Sequence, residues 1–450
     1  MFRAGECARC WPFVVASVLA GCHVTPPAGE VITTAPPPTN PGDDVRAVTD
    51  VAGGALCAGD AACPVDFDTA VACTGSVDSL RIAPGAGGIT YATFGVVPVN
   101  RTTRALLVNH AAPSVFASTG TIPTQTLFVL PSLAGDLRLG TESYGYGVNV
   151  AWWNGGSWQT SQVPDASAIY FFDGAVGADG STYILYGLLG THDPIVLGTR
   201  SPAGTWSRQQ LAEDGANGGL TIDPSAGLFS ASWEGTTPPA LTLRGGGATT
   251  VLPASFPTNE AQLSLRITLA VPAGGASPVV AAETSDGATL LASGAAGWAT
   301  EPPPTPAPAA PLTCGASWAN GCQPSSCTDR GDALVPESLA VAADASGGVW
   351  AAYLWRHVDA DYTVAVGNES CPLTMVADRS TLTLYMARVS PDGSAPEVRW
   401  RAPVDLGVME TAITFDATAD RVLVGLLGGN NIRLLSLSRP RLDALPAIAP

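Results

Sequence analysis

A turn that recurs every 45–48 residues limits what this chain can fold into more than any other feature. Short runs of Val, Ile, Leu, Tyr, Phe and Thr are cut throughout by small-residue turns, as in Leu80-Arg81-Ile82-Ala83-Pro84 through Gly88 to Ile89-Thr90-Tyr91-Ala92, and Leu339-Ala340-Val341 through Gly348 to Val349-Trp350-Ala351. Such runs read as many short antiparallel strands. Anchored on Gly88, Gly135, Gly180, Gly227, Gly275, Gly348 and Asp420, successive units begin 47, 45, 47, 48, 73 and 72 residues apart. The two long intervals each hold an extra segment. Residues 301–333 are rich in proline and then cysteine, and residues 357–378 are polar. Without both, the period is restored.

A period in the mid-forties with four strands per unit resembles the blades of a β-propeller. The resemblance implies an all-β fold and a single closed ring over residues 51–450, with loop insertions at 301–333 and 357–378. Seven blades fit best. Six or eight are also compatible, because the unit around Gly135 matches least well. Residues 51–75, or the tail after Leu434, would supply the strand missing from the first or last blade. Two β-sandwiches divided near 301–313 are the structural competitor, but they do not predict one period running across that boundary. No Trp-Asp dipeptide occurs. The nearest stretch to a sialidase-type Asp box is Asp344-Ala345-Ser346-Gly347-Gly348-Val349-Trp350, where the spacing is wrong and Asp344 reads as a turn former.

The first 22 residues address the compartment. Arg3 and Arg9 precede an uncharged apolar stretch, Trp11 to Gly21, that ends in Leu19-Ala20-Gly21-Cys22. The stretch is too short to span a bilayer and reads as a removable signal. The ending resembles the lipobox of bacterial lipoproteins, which implies lipidation of Cys22 and attachment to the cell envelope. The outer membrane or cell surface is expected over the inner membrane. Each buried methylene contributes about 0.8 kcal/mol, so several acyl chains would hold the protein firmly. Residues 23–50 contain Pro26, Pro27, Pro36, Pro37, Pro38 and Pro41 and read as a disordered tether.

Seven cysteines follow Cys22: Cys57, Cys63, Cys73, Cys314, Cys322, Cys327 and Cys371. In an oxidising compartment they are disulfide candidates, two clusters of three and one apart. None has C-x-x-C spacing, so no metal site is expected, and no cofactor motif is present. The chain lacks lysine altogether, which excludes Schiff-base and Walker lysines. A net charge of −17 argues against nucleic acid as a partner.

No Gly-x-Ser-x-Gly elbow, His-Glu-x-x-His or calcium loop occurs. Asp66/Asp68 and Asp359/Asp361 alternate as a calcium pair would, but read as solvated loop carboxylates. The candidate site is the set of loops that follow each unit's second strand: Glu142-Ser143-Tyr144, His192-Asp193, Trp233-Glu234, Glu283 to Asp286, Trp355-Arg356-His357 and Asn430-Asn431. In a propeller they gather on one face. Aromatic rings beside carboxylates suit sugars. The candidate ligand face is therefore His192, Asp193, Trp233, Glu234, Glu283, Trp355, Arg356 and His357. It is expected to bind a glycan, peptide or protein without transforming it. The alternatives are a glycoside hydrolase or lyase using Glu234 and Glu283, and an envelope assembly scaffold.

Overall fold

The computed structural model describes residues 45–48, residue 56 and most of 63–450, with breaks at many turns and at 255–265, 308–324 and 365–372. The lipobox, and most of the expected tether, lie outside the described residues. Among the described residues the chain is all-β apart from one short C-terminal helix, Arg439–Ala444. Among the described residues no helix is long and apolar enough to cross a membrane.

The described anchor residues sit where the first strand of a sheet connects to the second, Gly227 as the first residue of that second strand. In chain order the sheets begin with Ser76–Gly85, Thr126–Leu130, Ile169–Val176, Gly215–Asp223, Arg266–Ala270, Ala340–Ala343 and Val408–Asp416. The turns need a left-handed residue, which glycine adopts at little cost. Gly180 and Gly227 supply it at φ +83°, Asp420 at φ +53°, and Gly347 rather than its neighbour Gly348 at φ +85°. Gly88, Gly135 and Gly275 lie outside the described residues.

The first six sheets are built by consecutive segments of chain. The seventh is completed from the other end of the sequence. Val65–Cys73 pairs with Asn431–Ser438, so the N-terminal strand closes the last sheet. This is the strand that residues 51–75 were expected to lend. Val45–Val48, within the stretch expected to be tether, adds a fifth, outer strand.

Seven buried apolar layers hold the sheets together, one in each gap. Ala83, Tyr91, Val129 and Leu139 fill the gap between the first two sheets. Phe229, Trp233, Ile267 and Leu291 fill the one between the fourth and fifth. Val71, Leu80, Phe94 and Leu423 join the seventh sheet back to the first. Each sheet thus buries both faces against different neighbours, which a single sheet cannot do alone. The cycle of layers and of adjoining first strands closes, and the fold is a β-propeller.

The two insertions are not loops, as the sequence reading supposed. The second strand of the sixth sheet, Val349–Val364, runs sixteen residues, well past the blade edge. Its distal half is flanked by Ser325–Leu334 from the first insertion and Leu373–Asp378 from the second. Together they form one three-stranded arm. On it Arg379 bridges both Asp359 and Asp361 at 2.9 Å, so that alternating pair is neutralised by a guanidinium. Asp66 and Asp68 likewise face Arg441 and Arg433.

Candidate functional site

The first strand of every sheet lines a central channel with a cavity of about 690 Å³. These strands have a free inner edge, and an edge N–H removed from water must find an acceptor. The neighbouring sheet supplies it with a side chain. Leu80 N–H donates to Glu410, Val129 N–H to Thr93 Oγ1, Leu220 N–H to Asp173 and Leu339 N–H to Glu283, at 2.6–3.2 Å. The Thr411 hydroxyl donates to the Ser338 carbonyl across another gap. Between the fourth and fifth sheets the backbones approach so closely that a Cβ on Gly219 would lie 2.5 Å from the Ile267 carbonyl oxygen. The carboxylates near the channel are therefore joints between sheets.

These joints take up most of the acid in the channel. Asp173 accepts N–H groups on both oxygens, from Gly174 and Leu220. Glu410 uses one oxygen for Leu80 and the other for Arg81 at 2.9 Å. Burial pushes the Glu283 carboxyl up to about 7, against the lowering pull of the Leu339 N–H and Arg266. Burial also raises Asp173 and Glu337. By contrast Asp344 is held at about 2: its hydrogen bonds from Ser346, Arg388 and Gly348 outweigh burial. Asp344 also accepts from Trp350 Nε1, so it folds its turn as the sequence implied and pins the following strand too.

Glu283 gives a pH dependence with a definite sign. A carboxyl raised in the folded state adds stability that is complete below its ordinary range and is lost as pH rises through about 7. The size is on the order of 3 kcal/mol from about 1.4 kcal/mol per pH unit. Glu283→Gln keeps an acceptor for Leu339 and is expected to shrink the loss of stability between pH 5 and pH 8 by that order. Urea unfolding at the two pH values measures it; an unchanged loss would place the titration on another carboxyl.

Two arginines line the same cavity and are not used up. Arg81 bonds to the Leu80 carbonyl and Glu410, both through Nη1, and its guanidinium carbon lies 5.1 Å from the Phe128 ring centre. Arg266 donates through Nη1 to the carbonyls of Glu337 and Thr411 at 2.8 and 2.5 Å. Its Nε is buried without a hydrogen-bond partner among the described residues. Glu337 presents that carbonyl from a left-handed backbone, φ +61°, a strained state for a non-glycine residue. With Phe128, Asp173 and Asn217, these side chains form one polar mouth. The same cavity is also lined by Ile82, Val129, Ala175, Ile267, Val341 and Ile413.

The loop face expected from sequence is not assembled as expected. Trp233 is 1% exposed and lies inside the layer between the fourth and fifth sheets. Glu283 is 2% exposed and is a joint. Glu234 gives both oxygens to Arg244 and one also to the Ser232 hydroxyl. Trp355, Arg356 and His357 are within a strand, where the long hairpin leaves the sixth sheet. Trp355 is half-buried against the layer between the fifth and sixth sheets. His357 Nδ1 lies 2.7 Å from Asp332 on the facing strand, and Arg356 is exposed. Asp193 is half-exposed in a turn at φ +28°; His192 lies outside the described residues. Sequence reasoning missed Arg81, Asp173, Arg266 and Glu410. The signal was there: each stands seven to ten residues before its turn anchor, a charge within a first strand.

Site and fold together define a β-propeller with a polar channel mouth. No protein-family model matches the chain, and no curated protein does. Among solved structures it is similar to an ulvan lyase of polysaccharide lyase family PL25, with TM-score 0.46 and 10% identity over 83% of this chain and 98% of that one. It is also similar to AofleA from Arthrobotrys oligospora, at TM-score 0.42 and 10% identity over 80% and 96%. The Aleuria aurantia lectin, a six-bladed propeller with a novel fucose recognition mode, gives TM-score 0.38 and 12% identity over 68% and 95%. At these values nothing about activity passes from those proteins to this one.

Proposed function

We propose that this chain is a lipid-anchored envelope protein whose seven sheets are the seven blades of one propeller, and that the channel mouth binds a glycan without transforming it. The observation that carries the reading is the mouth itself: an open cavity of about 690 Å³ rimmed by Arg81, Phe128, Asp173, Asn217 and Arg266. Sugar sites combine such a concave wall with a few placed polar groups. The hydrolase or lyase reading relied on Glu234 and Glu283, and both carboxylates are engaged by separate structural partners. Cys22 supplies the anchor in this reading, and the cysteines pair within their clusters.

Binding of the full chain, purified in detergent, to a glycan array tests the ligand class. Thr221 lines the channel with its side chain half-buried, so Thr221→Trp is expected to fill the bore and remove binding while far-UV circular dichroism stays unchanged. Array binding that survives Thr221→Trp would move the site away from the channel. The anchor has its own test: Cys22→Ser is expected to abolish incorporation of a palmitate analogue, and continued labelling would remove the lipobox from the proposal.

A further inference from the structure

The channel mouth is asymmetric in its hydrogen-bonding capacity, and the asymmetry names a ligand chemistry. The acceptors are largely spent. Asp173 and Glu410 each accept two or more donors from the protein, and Glu283 is turned to the Leu339 N–H. The donors are not. A guanidinium carries five N–H groups in a planar fork. Arg81 and Arg266 each make all their hydrogen bonds through one terminal nitrogen, Nη1, among the described residues. The remaining N–H groups belong to side chains that line the cavity. Arg266 also feels Arg81 as a like charge, and with burial this pushes its guanidinium down from its ordinary value. An anion between the two would relieve both the unmet donors and the repulsion.

We infer that the ligand presents an anionic group, a carboxylate or a sulfate ester, to Arg81 and Arg266, and that it is therefore an acidic saccharide. The inference rests on the channel mouth being the glycan site. Planar bidentate pairing is what arginine offers such groups. A saccharide fits better than an acidic peptide side chain because its hydroxyls also need acceptors. The exposed Glu337, close enough to Arg266 to interact with its charge, remains to take them. The site is backed by carboxylates, so a free anion without hydroxyl donors gains little. Recognition of a charged group by two guanidiniums also predicts a salt dependence that a neutral sugar would lack.

Calorimetric titration of the detergent-purified full chain with matched oligosaccharides tests this. One pair is an oligogalacturonate and its carboxyl-reduced, neutral counterpart; the other is a sulfated galactan oligosaccharide and its desulfated form. The anionic member of at least one pair is expected to bind ten-fold or more tighter than its neutral partner, and which pair responds distinguishes carboxylate from sulfate. Arg266→Met and Arg81→Met are expected to erase the preference, and Arg266→Lys to retain part of it. Raising NaCl from 50 to 500 mM is expected to weaken the anionic member only, a readout that needs no variant to fold. Equal binding of charged and neutral members, still lost in Thr221→Trp, overturns this inference and leaves the glycan site standing. Tighter binding of an oligoglutamate than of either acidic saccharide overturns the saccharide assignment. Binding of no saccharide at all overturns both.

Discussion

Trp233→Ala is expected to destabilise the protein by about 3–5 kcal/mol, the range for deleting a large buried aromatic. The ring is 1% exposed and packs in the layer with Leu241, Ile267 and Leu291 between the fourth and fifth sheets. The inner strands there approach across Gly219 without room for a side chain, so the backbones cannot move closer to fill the cavity that loss of the indole leaves. Trp355→Ala is expected to cost clearly less, because that ring is only half-buried at the edge of its layer. Equilibrium unfolding in guanidinium chloride compares the two. Should Trp233→Ala unfold at the wild-type midpoint while glycan binding falls, the tryptophan would be a stacking platform after all, as its sequence context alone suggests.

The error over Trp233 shows what a repeat does and does not make legible. The turn anchors placed the sheets in order, because turn residues are tied to backbone conformations that few side chains allow; the closing strand was left open between residues 51–75 and the tail after Leu434. The length of the strands was not tied to anything so local. Taken as about six residues, the strand after Gly227 ends before Trp233; it actually runs to Glu234. Phe229, Ala231 and Trp233 alternate onto one face, and all three are buried. A two-residue period was present in the sequence and pointed inward.

The channel site was illegible for a different reason. A propeller's inner strands have no partner on one edge, and the residues that satisfy those edges come from the neighbouring sheet. The Asp173–Leu220 joint spans 47 residues, close to one repeat, and Glu410–Leu80 spans 330. Aligned repeats show that several first strands carry a charged residue, as Asp173 and Glu410 do, but not that its hydrogen bond lands on the neighbouring sheet. The insertions were misread similarly. Polar composition and prolines suggested loops, yet His357 to Val364 alternates polar and apolar residues as a strand does, and it pairs with Ser325–Leu334 and Leu373–Asp378 as an arm.

Arg433→Met is expected to destabilise the closed ring by about 3–5 kcal/mol, the cost of stranding one partner of a buried ion pair. Arg433 lies on the last strand and Asp68 on the N-terminal strand that completes the same sheet. The guanidinium donates Nε and Nη2 to the two carboxylate oxygens at 2.8 and 2.6 Å, across 365 residues of sequence. The two side chains are only 9% and 10% exposed. Removing the arginine leaves the Asp68 charge enclosed, with the Leu56 N–H at 3.3 Å as its other donor. The double variant Asp68→Leu/Arg433→Met removes the stranded charge and is expected to recover most of the loss, since a buried pair seldom outperforms apolar side chains of similar size. The N-terminal strand is where the loss should appear first. It is held to the ring by its pairing with Asn431–Ser438, by Ser438 N–H to the Pro64 carbonyl and by Arg441 to Asp66. Limited proteolysis is therefore expected to cut Arg433→Met ahead of residue 76 under conditions where the wild type and the double variant resist. If the single and double variants unfold at the same midpoint, the cost lies in lost packing rather than in a stranded charge, and Asp68–Arg433 is not the clasp that closes the ring.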